Sequence, residues 1–174
     1  MPFNIPSSWK WVTLPQIACT ELGKTLNKSM DKGKLTKYLC SINVYWDKID
    51  LSNVKSTYFS DDEIKKYTLQ RGDLLMCEGG DTGRCFVWDN DENMCYQNAL
   101  HRIRFFANVN PIFFKYLFFL YKQCGILDDS SKGMTIQHLT QTQLYRLYIP
   151  LPPIEEQRRI VDKLETILPL IEDI

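Results

Sequence analysis

Short stretches rich in hydrophobic and β-forming residues recur between polar segments in the first two thirds of the chain, a pattern that predicts short β-strands. Segments rich in glycine, aspartate or asparagine, which favour turns, separate the strand-like stretches from one another. We therefore expect a small, mostly antiparallel sheet in which residues 88–93, WDNDEN, form the connection of a hairpin. The predicted strands lie within LTKYLCSINVYW, DLLMC, RCFVW and MCYQNALHRIRFF.

Capping residues mark the starts of two helices. Ser60 precedes three acidic residues, which suit the positive end of a helix dipole, so a short helix to about Tyr67 is predicted. Asn110 and Pro111 begin a second helix, because asparagine caps free N–H groups and proline lacks an N–H that the first turn would leave unpaired. This helix, IFFKYLFFLYKQC, stops at Gly125 and is apolar on nearly every face. We expect it to be deeply buried as the central packing element.

The hydrophobic period changes after residue 153. Pro150, Pro152 and Pro153 form a stiff, extended break. Beyond them, seam positions recur at alternating steps of three and four residues with charges outside the seam, as in a coiled coil. Pro169 is expected to kink or end this helix. The seam consists of Ile154, Gln157, Val161, Leu164, Leu168 and Ile171.

Together these patterns predict an α+β fold in two parts. Residues 1–153 form a small, mostly antiparallel β-sheet domain packed on a buried helix, and residues 154–174 begin a coiled-coil helix. A helix this short is marginal in water by itself. It must therefore contact its own domain, a second copy or another subunit. We expect it to bind a partner in an assembly, and packing on its own domain is the alternative.

The distribution of charge is more informative than its sum. The chain has 174 residues, with 21 basic and 21 acidic ones, so a global attraction to nucleic acid is not expected. Residues 22–37, however, contain five lysines and one acid, and a local basic patch fits an anionic ligand. A solvated loop is the alternative. The lysines expected to contact phosphates are Lys24, Lys28, Lys32 and Lys34.

The six cysteines do not indicate a metal centre. No two of them have the spacing of a zinc knuckle, and the two histidines stand apart. Free thiols in a reducing cytoplasm are expected. The longest apolar run is broken by Lys115 and is shorter than a membrane span of about 20 residues. We therefore expect no membrane partner.

The stretch CEGGDTGRC, residues 77–85, allows three interpretations. Its Asp-Thr-Gly matches an aspartic protease half-site, but a catalytic aspartate needs a second one beside it. A phosphate-binding P-loop would need Lys-Ser or Lys-Thr and a helix after the glycines, whereas a strand pattern follows here. We therefore expect a glycine turn between two strands that can approach a phosphate, and a hairpin without a ligand is the alternative. The contacts expected in this turn are Gly79, Gly80, Thr82 and Arg84.

The order of the segments resembles the specificity subunit of Type I restriction-modification enzymes, and the resemblance covers essentially the whole chain. YIPLPPIEEQRRIVDKLE is the most specific segment, because it matches the family's boundary between a target recognition domain and the conserved helical spacer. RGDLL, followed by glycines at Gly79 and Gly83, supports the match. The other matching segments are CYQNALHRIRF, NPIFFKYLFFLY and KGMTIQHLTQTQLYRL.

The resemblance implies DNA recognition without catalysis. Specificity subunits of this family have two recognition domains, each for one half of a split double-stranded DNA target, and two long antiparallel spacer helices. Modification subunits bind around the spacer and methylate adenine with S-adenosylmethionine, and restriction subunits use ATP and Mg to translocate and cleave DNA. We expect this chain to be a fragment or a half-length subunit, with one recognition domain, the start of one spacer helix and no cofactor of its own.

Further expectations concern the assembly and the polar segment before the spacer. A homodimer through the C-terminal helix would be an additional assembly, and a protein-interaction scaffold that binds no DNA is the alternative function. In the polar segment before the spacer, glutamine can pair with adenine and threonine can meet a thymine methyl group, although Gln137 and His138 could instead cap the next element. The DNA contacts expected in this segment are Lys132, Gly133, Thr135, Gln137 and His138.

Overall fold

The computed structural model describes residues 3–26, 33–106, 108–127 and 138–172. Residues 171 and 172 are described by their backbone alone. Within these ranges the chain forms nine β-strands and four α-helices, which confirms the α+β class. The strands are β1 (Lys10–Thr13), β2 (Ala18–Leu22), β3 (Lys34–Leu39), β4 (Lys55–Phe59), β5 (Leu74–Cys77), β6 (Cys85–Val87), β7 (Cys95–Tyr96), β8 (Leu100–Phe105) and β9 (Tyr148–Leu151). The helices are α1 (Asp61–Tyr67), α2 (Pro111–Gln123), α3 (Gln141–Arg146) and α4 (Ile154–Glu172).

The described strands form three sheets rather than one. A four-stranded antiparallel sheet has the order β2-β8-β5-β6, a three-stranded sheet has the order β4-β3-β7, and β1 pairs with β9. β3 and β7 run parallel, and the other pairs are antiparallel. The prediction that residues 88–93 close a hairpin is therefore wrong. They connect β6 to β7, and β7 belongs to a different sheet. The chain crosses from one sheet to the other because Trp88 and Met94, at the two ends of this connection, are both buried in the hydrophobic cluster between the sheets.

Two of the predicted strands are shorter than their sequence pattern suggests. In LTKYLCSINVYW, β3 ends at Leu39 and a single 3-10 turn, Ser41–Asn43, follows. The buried Asn43 stabilises this turn, since its side-chain oxygen accepts from the N–H of Cys40 at 2.9 Å and its amide donates to the carbonyl of Asp50 at 3.0 Å. MCYQNALHRIRFF contains a turn, residues 97–100, that separates β7 from β8.

Both faces of the four-stranded sheet are covered. Successive side chains of a strand point to opposite faces. In β5, Leu74 and Met76 accordingly join the cluster beneath α2, whereas Leu75 and Cys77 join the cluster beneath the three-stranded sheet. All four residues are buried, which explains the continuous hydrophobic run in this strand.

The long helix α2 begins as predicted but is not buried on every face. The side chain of Asn110 caps it by accepting from the N–H of Ile112 at 3.0 Å, and Gly125 follows its end at φ +69°. Phe114 and Phe118 lie in the core. Phe119 and Leu120 are exposed, so the expectation of a helix surrounded by protein is wrong for this face.

The RGDLL motif joins the start of β5 to the neighbouring strand β8 and to the connection between β6 and β7. Asp73 is 1% exposed and accepts two hydrogen bonds of 2.7 Å from the guanidinium of Arg104 on the neighbouring strand. Gly72 adopts φ +90° and donates its N–H to the carbonyl of Trp88 at 2.8 Å. Arg71 forms ion pairs with Asp89 and Asp91 in the connection to β7. The motif therefore has a structural role at the end of the sheet opposite the glycine turn.

The C-terminal helix is continuous through Pro169 to Glu172, so it does not end at this proline. A proline removes the hydrogen bond to the carbonyl four residues earlier. That carbonyl belongs to Glu165, which is exposed, so water can replace the missing N–H. Within the described residues, no helix is long and apolar enough to cross a membrane.

Candidate nucleic-acid interface

The predicted glycine turn connects β5 and β6. It is closed by hydrogen bonds from the N–H of Cys77 to the carbonyl of Arg84 at 2.8 Å and from the N–H of Gly83 to the carbonyl of Cys77 at 2.9 Å. Gly80 and Gly83 adopt φ of +77° and +85°, which favours glycine at both positions. The environment of Gly80 is open, whereas a β-carbon on Gly83 would lie 2.5 Å from Leu127. Gly80 is thus on the outside of the turn, and Gly83 is part of its packing.

Two of the predicted contacts in this turn point into the protein. The guanidinium of Arg84 donates to the carbonyl of Ser41 at 2.9 Å and lies 5.3 Å from the ring centre of Tyr45. Only 21% of the Arg84 side chain is exposed, and Thr82 is 2% exposed. The structure therefore places the Arg84 side chain against the body of the domain and buries Thr82, so the predicted DNA contacts of these two residues stay a prediction.

The structure brings two predicted groups together at the start of this turn. A β-carbon on Gly79 would lie 3.2 Å from Nδ1 of the exposed His138, so the imidazole packs against the glycine backbone. The N–H of Leu139 donates to the carbonyl of Glu78 at 2.7 Å. The carbonyl of Leu139 is 2.8 Å from Nε2 of His101, which is completely buried and whose pKa is lowered chiefly by that burial.

A second turn, Gln97 to Leu100, lies beside the glycine turn at the same end of the four-stranded sheet. The N–H of Glu78 donates to the carbonyl of Ala99 at 2.9 Å, and the N–H of Asn98 donates to the carbonyl of Lys24 at 2.8 Å. Three chain segments therefore meet here through backbone hydrogen bonds. The sequence prediction omitted this turn because residues 94–106 were treated as one strand; the Asn-Ala pair within them was the available turn signal.

Lys24 does not face a phosphate. Its side chain is buried, and its ammonium lies 2.6 Å from the carboxylate of Glu63, 2.9 Å from the carbonyl of Tyr58 and 4.5 Å from the ring centre of Phe59. Lys24 in turn lowers the pKa of Glu63, mainly through their hydrogen bond. This correction has a simple cause, because the glutamate that also caps α1 provides a nearby partner for a long basic side chain.

Lys34 is exposed and could reach an anion. Its ammonium pairs with Asp61 at 2.9 Å, and 72% of its side chain is accessible. Lys34 begins β3, whereas the contact of Arg84 with Ser41 lies just beyond the other end of that strand, so Lys34 and the glycine turn do not form one patch. The remaining predicted DNA contacts lie outside the described residues: Lys28, Lys32, Lys132, Gly133, Thr135 and Gln137.

The predicted seam of α4 divides into a buried part and an exposed part. Gln157 is 1% exposed and Val161 is 4% exposed, and both contact the domain rather than solvent, so their assignment to a partner surface is corrected. Ile154 and Leu164 are partly buried, and Leu168 is exposed. The side chain of Ile171 lies outside the described part. The first half of the seam therefore joins the helix to its own domain.

An apolar groove of about 860 Å³ runs between α2 and the exposed part of α4. Phe119 and Leu120 line one side, and Leu164 and Leu168 line the other. Trp46 lies at one end, with its ring centre 5.1 Å from that of Phe119. The exposed seam positions are thus continuous with an apolar surface of the domain.

Asp81 does not have the environment of a catalytic aspartate. Its carboxylate lies on an exposed loop, 3.8 Å from Arg84 and 3.9 Å from Lys122. Within the described residues, no group of three or more histidine, cysteine or acidic side chains is arranged to hold a metal ion.

Comparison with known proteins gives one consistent result. A family model described as the type I restriction modification DNA specificity domain matches residues 6–173. A type I restriction enzyme specificity subunit of Haemophilus influenzae is 29% identical over 172 residues, which cover 94% of this chain and 42% of the relative. The MjaX specificity subunit of Methanocaldococcus jannaschii is 30% identical over 167 residues, with 90% and 39% covered.

Solved structures show the same fold. The HsdS subunit from Thermoanaerobacter tengcongensis superposes with a TM-score of 0.74 at 20% identity, covering 99% of this chain and 40% of that subunit. The type I S subunit from M. genitalium superposes with a TM-score of 0.56, also at 20% identity, covering 99% and 42%. The chain spans about two fifths of the length of these relatives.

Proposed function

Because the chain belongs to the family of type I restriction modification DNA specificity domains, we propose that it recognises one part of a double-stranded DNA target without catalysing a reaction. The resemblance noted in the sequence is confirmed as membership of this family. One observation carries the proposal: the family match spans residues 6–173, and therefore includes the sheets, the adjacent turns and α4 together. Partner modification and restriction subunits would methylate adenine and cleave DNA, with S-adenosylmethionine, ATP and Mg bound in those partners.

We assign residues 1–153 to DNA recognition and residues 154–174 to the start of the helical spacer. The exposed Leu168, continuous with the apolar groove on α2, supports a role for the outer part of α4 in binding another helix, from a modification subunit or a second copy. The inner part supports the domain itself through Gln157. We place the protein in the cytoplasm, where its six unpaired cysteines and its DNA target are both accommodated.

The proposed function is tested in a host that carries the complete restriction-modification locus. Sequencing of methylated adenines should show one split motif in which one half changes or is lost when this coding region is exchanged or deleted. A methylation pattern that is identical with and without the coding region would contradict a role in DNA recognition.

A binding experiment separates this function from a scaffold that contacts only proteins. Binding of the purified chain to a fluorescent duplex should weaken as salt rises, because phosphate contacts release counterions. A scaffold would bind the modification subunit but would show no salt-dependent affinity for the duplex.

A further inference from the structure

The turn from Gln97 to Leu100 is fixed from two directions. The carbonyl of Leu100 accepts a hydrogen bond from the N–H of Gly23 at 3.0 Å, and the carbonyl of Ala99 accepts one from the N–H of Glu78. Gly23 permits the approach from β2, because a β-carbon there would lie 2.3 Å from the carbonyl group of Gln97. The turn is therefore held rigidly between the end of β2 and the glycine turn.

The backbone of this turn is strained at Ala99. Its φ is +81°, a conformation that is sterically unfavourable for a residue with a β-carbon. The side chain of Asn98 stabilises it by accepting from the N–H of Ala99 at 2.5 Å and by donating to Oγ1 of Thr25 at 3.2 Å. Such strain persists where the surrounding structure enforces it, and it is concentrated at functional sites.

Gln97 differs from Asn98 in having no structural task for its amide. Its side chain is partly exposed, and it forms no hydrogen bond with another residue in the part of the chain that the structure describes. Its backbone, in contrast, is paired, since its N–H donates to the carbonyl of Leu39 at 3.0 Å. A free amide on a rigid backbone has both a donor and an acceptor ready for a ligand.

We propose that the side-chain amide of Gln97 contacts duplex DNA and that Asn98 and Ala99 are positioning residues for it. This inference rests on the proposed function and names a contact for it at the end of the sheet where Gly79 and His138 also meet. A glutamine can pair with the N6 and N7 edge of adenine in the major groove, or it can donate to a phosphate oxygen. Both contacts would be made with the duplex. A base contact depends on the DNA sequence, whereas a phosphate contact does not.

The test uses the full chain and a randomised duplex library, from which bound duplexes are selected and sequenced. Gln97→Ala is compared with Gln70→Ala. Gln70 is an exposed glutamine before β5, at the opposite end of that strand, and its hydrogen bonds to Asp73 use only its backbone. Thermal unfolding of both variants shows whether the fold is retained.

A base contact predicts that Gln97→Ala weakens binding to the selected motif by roughly 5- to 150-fold and relaxes one position of that motif. A phosphate contact predicts a uniform loss on all duplexes with an unchanged salt slope, because the amide is uncharged. Gln97→Glu should weaken binding further in either case, through repulsion of phosphates. Gln70→Ala should behave as the unaltered chain.

The outcomes distinguish the inference from the function on which it rests. If the unaltered chain selects a motif and Gln97→Ala binds it as tightly as Gln70→Ala, the role of Gln97 is refuted and DNA recognition stands. If the unaltered chain shows neither a selected motif nor salt-dependent binding, the proposed function itself is refuted.

Discussion

Gln157, near the start of α4, accepts a hydrogen bond from the backbone N–H of Asn110, the residue that caps α2, at 2.9 Å. Its amide nitrogen donates to the carbonyl of Pro152 at 2.9 Å, so this buried side chain is satisfied on both sides. The two helices are thereby joined at their N-terminal ends. The first turns of the C-terminal helix therefore pack on the domain, whereas Leu168 near its end is exposed.

Gln157→Ala should lower the free energy of unfolding by about 1–3 kcal/mol, because the N–H of Asn110 and the carbonyl of Pro152 would be buried without partners. Urea denaturation measures this change. Arg158→Ala on the same helix is the control. Arg158 is exposed and pairs with Glu155 at 2.6 Å, so its loss should cost less than about 1 kcal/mol. Equal effects of the two substitutions would show that Gln157 does not join the helices.

The buried part of the α4 seam, which includes Val161, and the exposed part, which includes Leu168, should respond differently when a charge is introduced. Val161→Asp should unfold the domain, because it places a carboxylate among buried apolar side chains. Leu168→Asp should leave the domain folded, since Leu168 is exposed, but should abolish association with a second copy or with the modification subunit. Sedimentation velocity measures the association, and circular dichroism measures the fold. Unchanged association of a folded Leu168→Asp variant would exclude this surface from assembly.

The sequence predicted best those features that depend on neighbouring residues. The capping box at Ser60 and the cap at Asn110 are local, and both helices begin where these residues place them. The glycine turn between β5 and β6 is also local. The family resemblance then supplied the function, which no local pattern contained.

Features that depend on distant partners were not predictable in this way. The ammonium of Lys24 finds a carboxylate 39 positions further along the chain, so a lysine that looks like part of a basic loop becomes buried. Gln157 fits the period of a coiled-coil seam, yet its partners are the backbone of α2 and a proline before α4. Hydrophobic periodicity indicates which face of a helix is covered, but it does not identify what covers it.

Substitution of two lysines of the predicted basic loop should change different properties. Lys24 should affect the stability of the fold, and Lys34 should affect the binding of duplex DNA. Lys24→Ala should destabilise the protein by about 2 kcal/mol, because it removes charged hydrogen bonds to Glu63 and Tyr58 from a buried position. Lys34→Ala should leave stability unchanged but should flatten the salt dependence of duplex binding by roughly 0.9 per lost phosphate contact. Urea denaturation and salt titrations measure the two effects. An unchanged salt slope for Lys34→Ala would show that this lysine faces only solvent and Asp61.

The junction between His101 and Leu139 should lose stability at low pH. Burial lowers the pKa of His101, and the hydrogen bond to Leu139 and the nearby Glu78 only partly oppose this. The folded protein therefore keeps the imidazole neutral at a pH at which the unfolded chain, with a pKa near 6.5, already binds a proton. Stability from this group is present above pH 6.5 and is lost as the pH falls below it.

His101→Gln keeps an N–H that can donate to the carbonyl of Leu139 but removes the titration. Between pH 7.5 and 5.5, urea denaturation should show a larger loss of stability in the unaltered protein than in this variant. Carboxylates such as Glu63, whose pKa is lowered, contribute equally to both proteins and cancel in the comparison. If the two proteins lost the same stability over this pH range, burial would not be keeping the imidazole of His101 neutral.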